Sequence, residues 1–132
     1  AQFCTPGVHI GLFCSTPMVA LSRNLANKHA MEMLLTGDVV SASRAAEMGL
    51  VNQVVPSAEL HDTSMGLAKK IAAKSILTVS IGKRAFYQQK EMDLAAAYNY
   101  ASKIMVENML ARDAEEGIAA FIEKRAPDWR DE

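Results

Sequence analysis

The chain has 132 residues, 50% of them hydrophobic and 22% charged, with a formal net charge of −1. That length suits one domain, and the balance is that of a globular chain rather than a disordered tail. It offers no general basic face for a phosphate backbone, which argues against nucleic acid as a partner, and no run of about 18 apolar residues predicts a membrane span.

No secretory leader pattern is visible, and Ala1-Gln2-Phe3 reads as the middle of a longer sequence. The stretch from Phe3 to Met18, FCTPGVHIGLFCSTPM, has no Asp, Glu, Lys or Arg and reads as an extended segment and loop that line a pocket. Cys4 and Cys14 lack C-x-x-C spacing and a metal-like His neighbour, so they read as two buried thiols in a reducing compartment, with no metal expected. Pro17 marks the first turn of a helix through Leu21. A second helix is predicted over 28–35, stopped at Thr36-Gly37, and a third over 42–48, capped by Ser41 and ended by Gly49. Leu50 to Val55, rich in β-branched residues and stopped by Pro56, predicts a short extended segment.

From Ser57 onward the pattern is helical. Met65, Leu67, Ala68, Ile71 and Ala72 form one apolar stripe, and Leu94, Tyr98, Ala101, Met105 and Met109 form another. Asp113 followed by Glu116 resembles a capping box ahead of a helix that presents Ile118, Phe121 and Ile122. The tail from Arg125 to Glu132 is polar around Trp129. Met31, Met33, Met105 and Met109 suggest soft packing. Helix dominates. Two brief extended segments cannot make a sheet alone, so the opening strand is expected to belong to a larger one.

In this order the features resemble the crotonase (enoyl-CoA hydratase/isomerase) superfamily. AQFCTPGVHIGLF resembles its A-x-F-x-x-P-E-[IV]-x-x-G strand and loop. AMEMLLTGDVVSASRAAEMGLVNQVVP resembles its run of A-x-E-[ML]-x-L-T-G, A-x-x-A-x-x-x-G-L-V and a valine-rich strand. AKKIAAKSILTVSIGKRAFYQ and RDAEEGIAAFIEKRAPDW resemble the helices that follow. Leu12 to Leu21, LFCSTPMVAL, resembles one branch, most other members having a Gly-rich turn there. The resemblance implies the C-terminal part of an α/β crotonase (ClpP/crotonase-like) fold. Residues 1–55 would end the β-β-α spiral and its pocket loop, and residues 56–132 would form a helical trimerisation region.

The resemblance also implies chemistry: enolate formation from an acyl-CoA thioester, with the oxyanion hole and one glutamate lying upstream of Ala1. Coenzyme A enters as substrate, with no other cofactor. A homotrimer or dimer of trimers is implied, mitochondrial in a eukaryote and cytoplasmic in a bacterium, with part of the methionine surface at the subunit interface and Tyr98, Tyr100 and Trp129 as aromatic anchors there. The second glutamate of the family's Pro-Glu dipeptide is Gly7 here, and glycine cannot move a proton. Efficient hydration is therefore in doubt, and isomerisation, hydrolysis, acyl-CoA binding alone or a scaffold role stay open; Gly7 also reads simply as a turn residue. His9 is a candidate substitute base, lying on the same side as Gly7 if the segment is a strand. Gly7, Cys14 and Ser15 are assigned to the acyl pocket, and Phe121 and Lys124, at i, i+3 on one helix face, to coenzyme A. Against that, Phe121 also reads as core and Lys124 as a solvated charge. A self-sufficient helical bundle is a third reading.

Overall fold

The computed structural model describes residues 1–132 as two units, Ala1–Leu60 and His61–Glu132. The first holds β1 (Gln2–Phe3), a 3-10 turn (Pro6–Ile10), α1 (Ser15–Asn24), α2 (Asn27–Thr36), β2 (Val40–Ser41), α3 (Ala42–Glu47) and a second 3-10 turn (Ser57–Glu59). β1 and β2 pair antiparallel, Gln2 opposite Ser41 and Phe3 opposite Val40. Helix therefore prevails, as the composition of the pattern indicated.

Local chemistry sets the helix ends. Gly37 closes α2 in the left-handed conformation, its N–H donating to the Met33 carbonyl at 3.0 Å. Ser41 caps α3, its hydroxyl accepting from the Arg44 N–H at 3.2 Å. The extended segment expected over Leu50–Val55 is not a strand. Past Gly49, the Leu50 and Val51 N–H groups turn back to the Ala45 carbonyl at 2.8 and 3.4 Å, and those donors are spent on finishing α3. Leu25, Ala30, Met33 and Met48 form the buried cluster of this unit, with Phe3, Leu21, Val40 and Leu50 packed on it. Burying each such Leu or Met contributes about 1.5–3 kcal/mol.

The second unit holds α4 (Leu60–Ala72), α5 (Ile76–Gln89), α6 (Leu94–Met109) and α7 (Arg112–Glu123), with α5, α6 and α7 packed on one another. No helix is long and apolar enough to cross a membrane. Its apolar stripes lie largely in the open: Leu94, Tyr98, Met105 and Met109 are each more than half exposed, as are Leu67 and Ile71 of α4. What is buried here is mostly polar, Ser75 and Asp113 together with Ala120.

The expected capping box at Asp113 and Glu116 does not form. Ala111 occupies the cap position of α7 and supplies no side-chain bond. Asp113 is already inside the helix, and both its oxygens accept from the C-terminal segment, Oδ1 from the Arg130 N–H at 2.9 Å and Oδ2 from the Asp131 N–H at 3.1 Å. Its own N–H donates to the Glu132 carbonyl at 3.0 Å. Glu116 grips the same segment higher up: its oxygens accept from the Arg125 guanidinium at 2.6 and 2.9 Å and from the Asp128 N–H at 2.7 Å. Trp129, expected as an interface anchor, is used internally. Its Nε1 donates to the Ala73 carbonyl at 3.1 Å, and its ring lies so close to Gly117 that a Cβ there would sit 3.1 Å from it. Asp131 completes the strap by accepting from the Ile76 N–H at the start of α5, at 2.6 Å.

These bonds hold both carboxyls ionised. Glu116 titrates at about 2 rather than 4.5, first because of the Arg125 hydrogen bonds and then because of the Asp128 N–H. Asp113 is lowered too, first by the Ser75 hydroxyl, then by the Arg130 and Asp131 N–H groups. A lowered folded-state value means that the strap contributes stability above the ordinary carboxylate range and loses it as acid approaches the folded value. Trp129 is the single tryptophan. Its emission is expected to stay native-like down to pH 4.5 and to shift red between pH 4.5 and about 2, the window set by Glu116. A transition complete above pH 4.5 would mean that these carboxylates do not hold the strap.

Candidate functional site

The loop before α1 is anchored by Thr5, a buried residue whose hydroxyl donates to the Met33 carbonyl at 2.7 Å. Pro6 then opens the 3-10 turn, and Gly11, at φ 76°, ends it. Two bonds fold the chain back on itself. The Leu12 N–H donates to the Gly7 carbonyl at 2.9 Å, and the Gly7 N–H donates to Cys14 Sγ at 3.3 Å. As a result Gly7 has no free space on its side-chain face. A Cβ there would stand 2.7 Å from Cys14 Sγ and 2.8 Å from the Leu12 carbonyl oxygen. The sulfur can rotate away, but the carbonyl belongs to the turn itself.

Gly7 and Cys14 are thus brought into contact. Ser15 follows at the start of α1, its hydroxyl donating to the Phe13 carbonyl at 3.3 Å. None of the three lines the groove of about 420 Å³ between α1 and α2, whose walls include Met18, Val19, Met31 and Leu34. Nor are the two thiols buried: Cys4 is exposed and Cys14 half-buried.

His9 does not share a strand with Gly7, because residues 6–10 are helical with about three residues per turn and the period of two is lost. Its Nε2 lies 3.0 Å from the Thr36 carbonyl, and the ring sits over Gly37, where a Cβ would come within 2.9 Å of Nε2. A carbonyl only accepts, so Nε2 carries the proton and His9 acts as a cap for α2. The polar contacts at Gly7, His9, Cys14 and Ser15 run to backbone groups or to one another, and no carboxylate joins them.

The second candidate set lies on α7. Phe121 is 84% exposed and borders a cavity of about 530 Å³ with Val79, Met105, Ile118 and Trp129. Lys124 is not on the same helical face, because α7 ends at Glu123. Lys124 takes the left-handed conformation at φ 56° and ψ 38°, which swings it out of register. Its N–H donates to the Phe121 carbonyl at 3.3 Å and the next N–H, of Arg125, to the Ala120 carbonyl at 3.0 Å. That is a Schellman ending, the same as the one at Gly49, where the left-handed residue is glycine. For a lysine the conformation costs roughly 1 kcal/mol. Its ammonium makes no hydrogen bond or ion pair.

Sequence reasoning missed the role of Glu116 and Arg125. Arg125 pairs with both Glu116 and Glu123, which raises its already high pKa further. The available signal was the acidic residue two turns ahead of a basic one across a helix end, within EEGIAAFIEKR.

The sequence profile of the Enoyl-CoA hydratase/isomerase family matches residues 1–132. Human enoyl-CoA hydratase domain-containing protein 3, mitochondrial, is 51% identical over 132 residues, 100% of this chain and 44% of that protein. Its crystal structure superposes with a TM-score of 0.90 at 51% identity, over 98% of this chain and 51% of that one. An enoyl-CoA hydratase structure from Mycobacterium smegmatis superposes with a TM-score of 0.92 at 49% identity, over 98% of this chain and 50% of that one. The chain therefore spans about half the length of the relatives it matches, and its helical architecture is that of the C-terminal part of the crotonase fold. The branch that LFCSTPMVAL pointed to is that of the human protein. A profile spanning every residue, with half the positions shared by members of the same fold, places this chain in the enoyl-CoA hydratase/isomerase family.

Proposed function

We propose that this chain serves acyl-CoA thioester chemistry through an enolate held by an oxyanion hole, with hydratase activity reduced or altered at Gly7. The observation that carries the reading is the closed space at residue 7, filled by Cys14 Sγ and the Leu12 carbonyl. Hydration puts hydroxide on C3 of the enoyl thioester and a proton on C2, with the electron pair passing through the enolate oxygen. Two carboxyls divide that proton traffic, and each such group is worth about 10²–10⁴-fold. With glycine at one of the two positions, a single shuttle remains for the whole cycle. Isomerisation needs only one group to carry a proton from one carbon to another, and a thioester can be hydrolysed by a single activated water.

In this reading Gly7, Cys14 and Ser15 form acyl-pocket wall, while Phe121 stacks on the adenine and Lys124 faces a phosphate of coenzyme A. Support for the second pair is an exposed aromatic ring and, three residues on past the helix end, an ammonium with no partner in the chain, the two chemistries a nucleotide asks for. The open apolar residues of α6 and α7 favour assembly as a homotrimer or dimer of trimers. They equally support the alternative of a non-catalytic acyl-CoA-binding or scaffold protein. The name of the human relative suggests mitochondria in a eukaryote.

Crotonyl-CoA hydration by the purified protein is the test. Turnover at least about 10²-fold below that of a two-glutamate hydratase is expected. Equal turnover overturns the reading, and coenzyme A binding without turnover of any enoyl thioester selects the alternative. A second experiment addresses the loop. Gly7→Glu is expected to destabilise by about 1–3 kcal/mol through overpacking and to gain no hydratase activity. An unchanged melting temperature with a large gain in rate would show that the loop yields to a carboxylate.

A further inference from the structure

We infer that Glu116 is a positioning residue for the ligand phosphate: through Arg125 it holds the left-handed turn from which Lys124 projects. The inference rests on the coenzyme A reading above and deepens it.

Three observations meet at this turn. First, Lys124 occupies a Schellman position that Gly49 fills with glycine elsewhere in the chain. A lysine in a conformation that favours glycine persists only where its surroundings over-determine it. Second, the side chain gains nothing locally in return. The other non-glycine residue at positive φ, Asp131 at 61°, uses its carboxylate to accept from the Ile76 N–H, while Lys124 makes no such bond. Its ammonium is left for something outside the chain. Third, the residue that over-determines the turn is Glu116. Its two oxygens take the Arg125 guanidinium as a fork at 2.6 and 2.9 Å, and one of them also takes the Asp128 N–H at 2.7 Å. Glu123, at the last position of α7, holds Arg125 Nε at 2.6 Å from the other side. Two carboxylates before the turn, Glu116 and Glu123, thereby grip one guanidinium just after it, and the backbone of Lys124 between them is held without a contact to its side chain.

The test is a double-mutant cycle on the purified protein, with coenzyme A as titrant in calorimetry and melting followed by circular dichroism. Lys124→Gly removes the ammonium and relieves the backbone, so it is expected to weaken coenzyme A about tenfold while the melting temperature holds or rises. Glu116→Gln is expected to weaken coenzyme A by several-fold when Lys124 is present and to have no further effect once Lys124 is glycine. A merely structural glutamate would instead give the same fold-loss in both backgrounds, and that additive result overturns the inference while leaving the coenzyme A reading intact. If Lys124→Gly binds coenzyme A like the parent, the coenzyme A reading itself falls. Should Glu116→Gln not fold, Arg125→Lys supplies the second arm. It keeps the charge, loses the fork, and is expected to show the same dependence on Lys124; independence from Lys124 overturns the inference.

Discussion

Any residue other than glycine at position 7 would push a carbon to 2.8 Å from the Leu12 carbonyl oxygen and 2.7 Å from Cys14 Sγ. That crowding follows from two hydrogen bonds, Leu12 N–H to Gly7 and Gly7 N–H to Cys14 Sγ, which fold the loop over its own start. The loop in turn hangs on α2, through the Thr5 hydroxyl at the Met33 carbonyl and through His9 at the Thr36 carbonyl. The same α2 residue, Met33, belongs to the buried cluster of the first unit. The glycine is therefore part of how this unit packs.

The second unit is held by a different kind of force. Its buried side chains are few and largely polar, and its C-terminal segment is fastened by carboxylates rather than by an apolar seam. Asp113 and Glu116 together accept from three backbone N–H groups and one guanidinium of that segment. Ionised acceptors with charged or multiple donors make the stronger class of hydrogen bond. They define geometry more sharply than apolar contact does, and so they fix the end of α7.

Much apolar surface on α4, α6 and α7 stays uncovered: Leu110 is 82% exposed, Phe121 84% and Ile122 72%. Scattered exposed leucines are ordinary, but a surface of this extent marks a place where other protein or ligand sits. The chain matches about half the length of its relatives.

The helix pattern was legible in the residues themselves, because caps and stops act within one or two turns. Ser41, Gly37 and Gly49 mark the ends where they were expected, and Pro17 lies in the first turn of α1. Family membership was legible for a similar reason: its motifs are short runs in fixed order. Contacts between distant residues were not. The valine-rich run after Gly49 spends its first donors on the end of α3 and forms no strand, while Val40–Ser41 pairs with Gln2–Phe3 across the unit. His9 became a cap, and Asp113 and Glu116 became anchors for residues 12 to 18 positions away, because partners so far along the chain are selected by packing and not by local spacing. The amino-acid order by itself determined that a glycine follows Pro6; only the folded loop decided that a side chain there would have to displace Cys14 Sγ and the Leu12 carbonyl, since that depends on where those two residues come to rest.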